Sequence, residues 1–278
     1  RGIAQVMFQN NPLSGALFAV SDTGAWLRLR PVEIGGRLVG VADASIAPMR
    51  DPSGRAVRRK NDGDAEALRF WQHDGTITAL VVIEELNELR AFTADGELAL
   101  ATPTLQPLPE AVAHLQSDKG VEGLAIAPVD SPFAGARVLL SEGPLGPGGN
   151  RQAWILDGPL AGTFELRRAD RFDLTDAAFL ASGDLVVLER RFSLGEGFAM
   201  RLCLARGADI RPAAVVDCRP LMTADMRYQI DNMEGLAIRE SAEGVELYLI
   251  ADDNHSIFER TLLLKFAWRP APAMPTGR

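Results

Sequence analysis

Hydrophobic residues along this chain gather in short runs rather than in helical stripes. The runs at 17–21, 77–83, 137–141, 185–188 and 245–251 are rich in leucine or β-branched residues, and Gly, Asp, Asn or Pro bounds them. They are apolar on both faces instead of alternating, as expected of strands buried in the middle of stacked sheets. Helical periodicity is weak, and only residues 109–116 read as a short surface helix.

The runs belong to a repeat. Glu122-Gly123-Leu124-Ala125 and Glu234-Gly235-Leu236-Ala237 are identical, Glu66-Ala67-Leu68 is a near copy, and Asp176-Ala177-Ala178 is a weaker one. The interval is about 55 residues, the size of one propeller blade. Within each repeat the acidic tetrad opens a first strand, a glycine-containing turn follows, and an apolar second strand ends in an acid. Two more strands complete the unit, at 151–156 and 163–168 in one repeat and at 199–205 and 213–217 in the next.

The pattern predicts an all-β protein, a β-propeller of four-stranded antiparallel blades forming a single domain over 1–278. Five blades are favoured, six if one has lost its signature. The last repeat supplies strands near 233–238, 245–251 and 260–268 before a proline-rich tail at 270–278. The N-terminal segment 3–8 then reads as its fourth strand, closing the ring. The first unit, Leu13-Ser14-Gly15 with the run Leu17 to Asp22, reads as shortened. Segments 50–63 and 143–150 read as mobile surface connections.

The charge balance, with 37 acidic against 29 basic residues and a net charge of -8, argues against nucleic acid or an anionic membrane as partner. No apolar stretch is long enough for a membrane span. The chain opens on Arg1 rather than a methionine, which reads as a processed or trimmed start with any export signal outside it. The two cysteines, Cys203 and Cys218, sit out of register in the expected hairpin and read as free and buried rather than bonded.

The blade order has a chemical consequence. A hairpin brings the start of its first strand and the end of its second to the same face. First strands line the central channel, so Glu66, Glu122, Asp176 and Glu234 are expected nearest the axis. Asp22, Glu84, Glu142, Glu189 and Asp252, at second-strand ends, are expected to form an outer ring. Crowded carboxylates raise one another's pKa, and a hard divalent cation relieves them. Oxygen-only ligands suit Ca²⁺, with Asn232, Asn254 or backbone carbonyls completing the shell. The competing reading is structural, with each acid capping turn amides or pairing with a neighbouring blade's arginine.

Several segments resemble the phytase-like, esterase-like family of exported bacterial β-propeller proteins. They run from Val20-Ser21-Asp22-Thr23-Gly24-Ala25-Trp26-Leu27 through Asp64-Ala65-Glu66-Ala67-Leu68 and Lys119-Gly120-Val121-Glu122-Gly123-Leu124. They continue in Asp184 to Phe192, Tyr228-Gln229-Ile230-Asp231-Asn232-Met233-Glu234-Gly235-Leu236-Ala237, Asp252-Asp253-Asn254 and Arg260-Thr261-Leu262-Leu263-Leu264. The resemblance implies a periplasmic or secreted protein that hydrolyses esters, phosphate esters included. The chain departs from the family pattern at Leu13–Leu17, which carries fewer residues.

For such a reaction Glu122, Glu234 and Asp176 are the candidate catalytic acids. Lys119, Arg190, Arg191 and Asn254 are the candidate substrate ligands, since a phosphate ester needs cations on its outer oxygens. A salt bridge to a neighbouring blade is the alternative for Arg190-Arg191. A Gly-x-Ser-x-Gly elbow, HExxH, CxxC and a phosphate loop are all missing from the sequence. His255, beside the expected mouth, reads as a solvated loop residue. A non-catalytic binding or scaffold propeller and a metal-dependent sugar lactonase are the alternatives to an ester hydrolase.

Overall fold

The computed structural model describes residues 5–8, 15–73, 75–93, 97–115, 120–144, 146, 148–254 and 256–269. Five small sheets stand in a ring. The first holds β1 (Gln5–Phe8), β2 (Leu17–Ser21), β3 (Ala25–Ile34) and β4 (Arg37–Pro48). The second holds β5 (Ala65–His73), β6 (Thr76–Ile83), β7 (Glu88–Thr93) and β8 (Thr104–Gln106). β9 (Val121–Ile126), β10 (Arg137–Pro144), β11 (Arg151–Ile155) and β12 (Gly162–Leu166) make the third. The fourth contains β13 (Asp173–Phe179), β14 (Leu185–Ser193), β15 (Gly197–Ala205) and β17 (Cys218–Asp225), with β16 (Val215–Val216) leaving it for the third. β18 (Met233–Ser241), β19 (Gly244–Ala251) and β20 (Leu263–Trp268) make the fifth. This is the expected five-bladed propeller, and second strands such as β6 and β19 are buried along most of their length because blades cover both faces.

Ring closure differs from the sequence reading. Gln5–Phe8 pairs with β2, Gln5 opposite Val20, and not with the last blade. Without β1, the inner edge of β2 would leave its amides and carbonyls unpaired beside the channel; β1 satisfies them. The first blade is therefore complete, while Leu13 and Ser14 lie outside the described residues. Among the described residues the fifth blade has three strands. It meets the first by packing, with Leu17, Ala19 and Leu29 against Ala237, Tyr248 and Ile250. Glu33 secures that seam, accepting from the Tyr248 hydroxyl and pairing with Arg239 at 3.1 Å and Lys265 at 2.5 Å.

Two more expectations change in the fourth blade. Its outer strand is Cys218–Asp225, not 213–217; Val215 and Val216 instead run parallel to β12, stapling the fourth blade's chain onto the third. A register shift after Leu202 then brings Ala205 opposite Cys218, and Cys203 and Cys218 form a disulfide with Cα atoms 5.4 Å apart. The cysteines are bonded, not free. Segment 50–63 is pinned rather than loose: Val57 is buried against Trp26 and Met49 in the core between blades one and two, and its amide donates to Met49. The short helix Lys60–Gly63 ends this segment. Among the described residues no helix is long and apolar enough to cross a membrane.

Candidate functional site

Every inner strand from blade two to blade five carries a β-bulge at its start. The extra residue is Glu66 in β5, Glu122 in β9, Thr175 in β13 and Glu234 in β18. A bulged residue is excluded from the ladder and its side chain is re-aimed, here at the end of the strand beside the axis. The flanking positions are equivalent too. The residue two positions after the partner of the bulge on the second strand is Glu84, Glu142, Arg190 and Asp252 in turn. Blade four thus replaces both acids, offering Thr175 and Arg190 where the other blades offer carboxylates.

The three bulge glutamates meet. Glu66, Glu122 and Glu234 line a cavity of about 160 Å³ together with Asp22, Lys60, Arg190, Asp252 and Asn254. Arg190 lies 3.1 Å from Glu234 and 3.8 Å from Glu142, and Lys60 lies 3.4 Å from Asp64 and 3.6 Å from Asp22. Asp64, Glu66 and Glu84 form the tightest group, with one carboxylate oxygen from each within 4.8 Å of the others. Gly120 makes room for it, since a Cβ there would stand 2.4 Å from Cγ of Glu84.

This crowding governs protonation. Burial pushes Glu66 well above the ordinary 4.5, and Asp64, Glu84 and Glu234 push it further. Glu122 rises for the same reason, and after burial the charges acting most strongly on it are all carboxylates. Glu84 reaches about 7 through burial and the charges of Asp64 and Glu142. Glu234 also reaches about 7, burial outweighing the opposing pull of Arg190.

The remaining expected site residues lie elsewhere. Asp176 does not line the cavity: it is fully buried, paired with Arg69 at 2.6 Å, and accepts the amides of Ala177 and Leu236 at 2.7 Å each. One side chain thereby ties blades two, four and five together. Burial still lifts it to about 6, against the pull of Arg69. Glu189 is also buried, held by Arg151 at 2.9 Å and by Arg201. Arg191 turns to Glu196 and the face of Phe172. Lys119 and His255 lie outside the described residues.

Sequence reasoning missed Asp64, Lys60 and Arg69. Asp64, Glu66 and Glu84 have the same spacing as Asn232, Glu234 and Asp252, so the first residue of the set was visible as a repeat position. Arg69 stands where the two identical tetrads have alanine, Ala125 and Ala237, a departure that marks it as special. Lys60 has no counterpart in another blade and carried no signal beyond the rarity of lysine.

The donor set fits a hard divalent cation. The lining has several carboxylates and no histidine or cysteine among the described residues, and Oδ1 of Asp22 is buried without a hydrogen-bond partner.

Among solved structures, the α-L-arabinofuranosidase from Lactobacillus brevis is similar with a TM-score of 0.55 at 12% identity, covering 96% of this chain and 92% of that one. The α-L-arabinofuranosidase of Podospora anserina in complex with cellotriose gives 0.51 at 13% identity, covering 95% and 90%. At such identities the likeness concerns the fold alone. No curated protein matches in sequence. The phytase-like family model, described as the esterase-like activity of phytase, matches residues 8–255, and the chain belongs to that family.

Proposed function

We propose that the protein is a calcium-dependent hydrolase of phosphate or carboxylic esters, acting at the channel mouth. The observation that carries this reading is the convergence of three bulge glutamates and Arg190 on one cavity. Asp64, Glu66 and Glu84 would hold the cation. A Ca²⁺ bound there would compensate the charge of the carboxylates and supply a Lewis acid for an ester oxygen.

The chain's own residues do the rest. Arg190 binds an anionic oxygen of the substrate, and Glu234 and Glu142 orient its guanidinium. Glu122, buried among carboxylates that raise its pKa and so strengthen its ionised form as a base, takes a proton from the attacking water. Water's oxygen joins the acyl or phosphoryl centre, the ester bond breaks, and the same proton passes from Glu122 to the departing alkoxide. The disulfide suits an oxidising compartment and supports export to the periplasm or medium.

A panel of p-nitrophenyl acetate, butyrate and phosphate, assayed with Ca²⁺ and with chelator, tests the reading. Turnover that chelation abolishes and Ca²⁺ restores is expected, and Arg190→Gln should raise KM for the phosphate while changing KM for the acetate little. Absence of chelator-sensitive turnover on every member would leave a non-catalytic binding propeller.

A further inference from the structure

We propose that an apolar shelf on blades four and five receives the non-polar half of the substrate, so that the ester cleaved at the mouth is amphiphilic. This rests on the ester-hydrolase reading and names its substrate class: a polar ester head carrying an alkyl chain or aromatic ring.

The shelf grows out of the cavity on two sides. On β14, Leu188 packs into the core shared with Met233 and Leu236 of blade five. The two-residue period of a strand puts Arg190 and then Phe192 on that same face, each step farther from the core. Arg190 lines the cavity; Phe192 lies beyond it, exposed, with its ring 4.9 Å from that of Phe198 across the hairpin. Leu194 at the turn is 98% exposed. Gly197 lets the next segment close on this hairpin, because a Cβ there would stand 2.9 Å from Cγ of Met226. Met226 and Tyr228 are exposed as well.

The other side comes from blade five. Asp252 and Asn254 line the cavity, and the same loop then presents Ile257 and Phe258, 91% and 88% exposed. Arg260 clamps that loop to the Met226–Asp231 side, donating to Gln229 at 3.2 Å, to the Ile230 carbonyl at 3.0 Å and to Asp231 at 3.1 Å.

Six large apolar side chains, one at the end of β14 and five on the connections of two adjoining blades, exceed the scatter normal on a protein surface. Each flank lies within three residues of a cavity residue, Arg190 on one side and Asn254 on the other, and this adjacency is what joins the shelf's occupant to that of the cavity. The opposite rim, built by blades two and three, is carboxylate-rich. A polyphosphate would find two cations, Lys60 and Arg190, among these acids and no use for the shelf. An ester with one polar head and an apolar tail uses both halves.

Calorimetric titration in Ca²⁺ with two non-hydrolysable probes, methylphosphonate and octylphosphonate, tests this. The octyl probe should bind about a hundredfold more tightly, as partial burial of seven methylenes implies. The double variant Leu194→Ser/Phe258→Ser, both positions being exposed, should cut that ratio to below about tenfold while leaving methylphosphonate affinity unchanged. Equal affinities for the two probes would overturn the shelf and leave the hydrolase reading standing. Failure of both probes to bind would overturn both. If the double variant instead converts a dimer into a monomer and keeps the chain-length preference, the shelf belongs to a second copy of the chain and the proposal falls.

Discussion

Blades three and four place the same bulge beside the same axis and put it to opposite uses. In blade three the bulge residue is Glu122, which faces a crowd of like charge, and its partner position is Glu142, which shares Arg190 with Glu234. In blade four the equivalents are Thr175 and Arg190. Thr175 donates its hydroxyl to the Met233 carbonyl at 3.1 Å, and the next residue, Asp176, ends in Arg69. One blade therefore holds a glutamate crowded by other carboxylates, and the other holds carboxylates paired with arginine.

The largest expected effect breaks the blade-four side. Asp176→Ala leaves the buried Arg69 guanidinium without its carboxylate, which costs about 3–5 kcal/mol. Urea unfolding should show a lower midpoint than the native protein both without Ca²⁺ and at the same saturating Ca²⁺. A midpoint matching the native protein would mean the Asp176–Arg69 pair is not what ties these blades together.

On the blade-three side the sign reverses. Glu122→Gln removes one of several repelling charges, so the cation-free protein should unfold at an equal or higher temperature. Turnover should fall by roughly 10²–10⁴, the usual contribution of a positioned base. Loss of stability together with loss of activity would place Glu122 with the structural acids.

Much of this contrast was legible in the sequence, and the errors are instructive. Glu66, Glu122 and Glu234 were recognisable because repeats place like residues at like positions, and the channel gathers them without any long-range contact having to be guessed. Asp176 was aligned one residue late: the acid letter matched, but the bulge falls on Thr175, and a bulge depends on pairing that single-strand patterns do not encode. The same shift hid Arg190 as the counterpart of Glu84, Glu142 and Asp252, and made Glu189 look like a mouth residue. The strand Gln5–Phe8 was found, but its partner was misassigned because the unpaired edge of β2 is a property of the ring, not of either segment. The disulfide escaped for a related reason, the crossing of Val215 and Val216 to blade three being invisible locally.

A smaller effect follows from protonation. Glu84 and Glu234 titrate near 7 in the folded protein against an ordinary 4.5. Between these values the folded state holds more protons than the unfolded chain, so stability falls as pH rises through the window. Without cation, Tm should drop steadily from pH 5 to pH 8; saturating Ca²⁺ should flatten the slope. A Tm that climbs with pH in the absence of cation would show that these carboxylates are not crowded.

The smallest expected effect concerns Lys60, half-exposed and within 3.6 Å of two acids. It competes with a divalent cation for their charge, so Lys60→Met should tighten Ca²⁺ binding by roughly two- to fivefold, the range for a partly exposed pair. Terbium luminescence under calcium competition measures this, and a weaker affinity in the variant would instead make Lys60 part of the site's support.

The most direct measurement is a calorimetric Ca²⁺ titration at pH 7.5 of the native protein beside Glu66→Gln. Saturable binding in the native protein that the glutamine variant loses, with its fold intact, is the predicted result. No binding in the native protein, or the same affinity in both, would contradict the claim that carboxylates from the blade bulges converge to hold a cation.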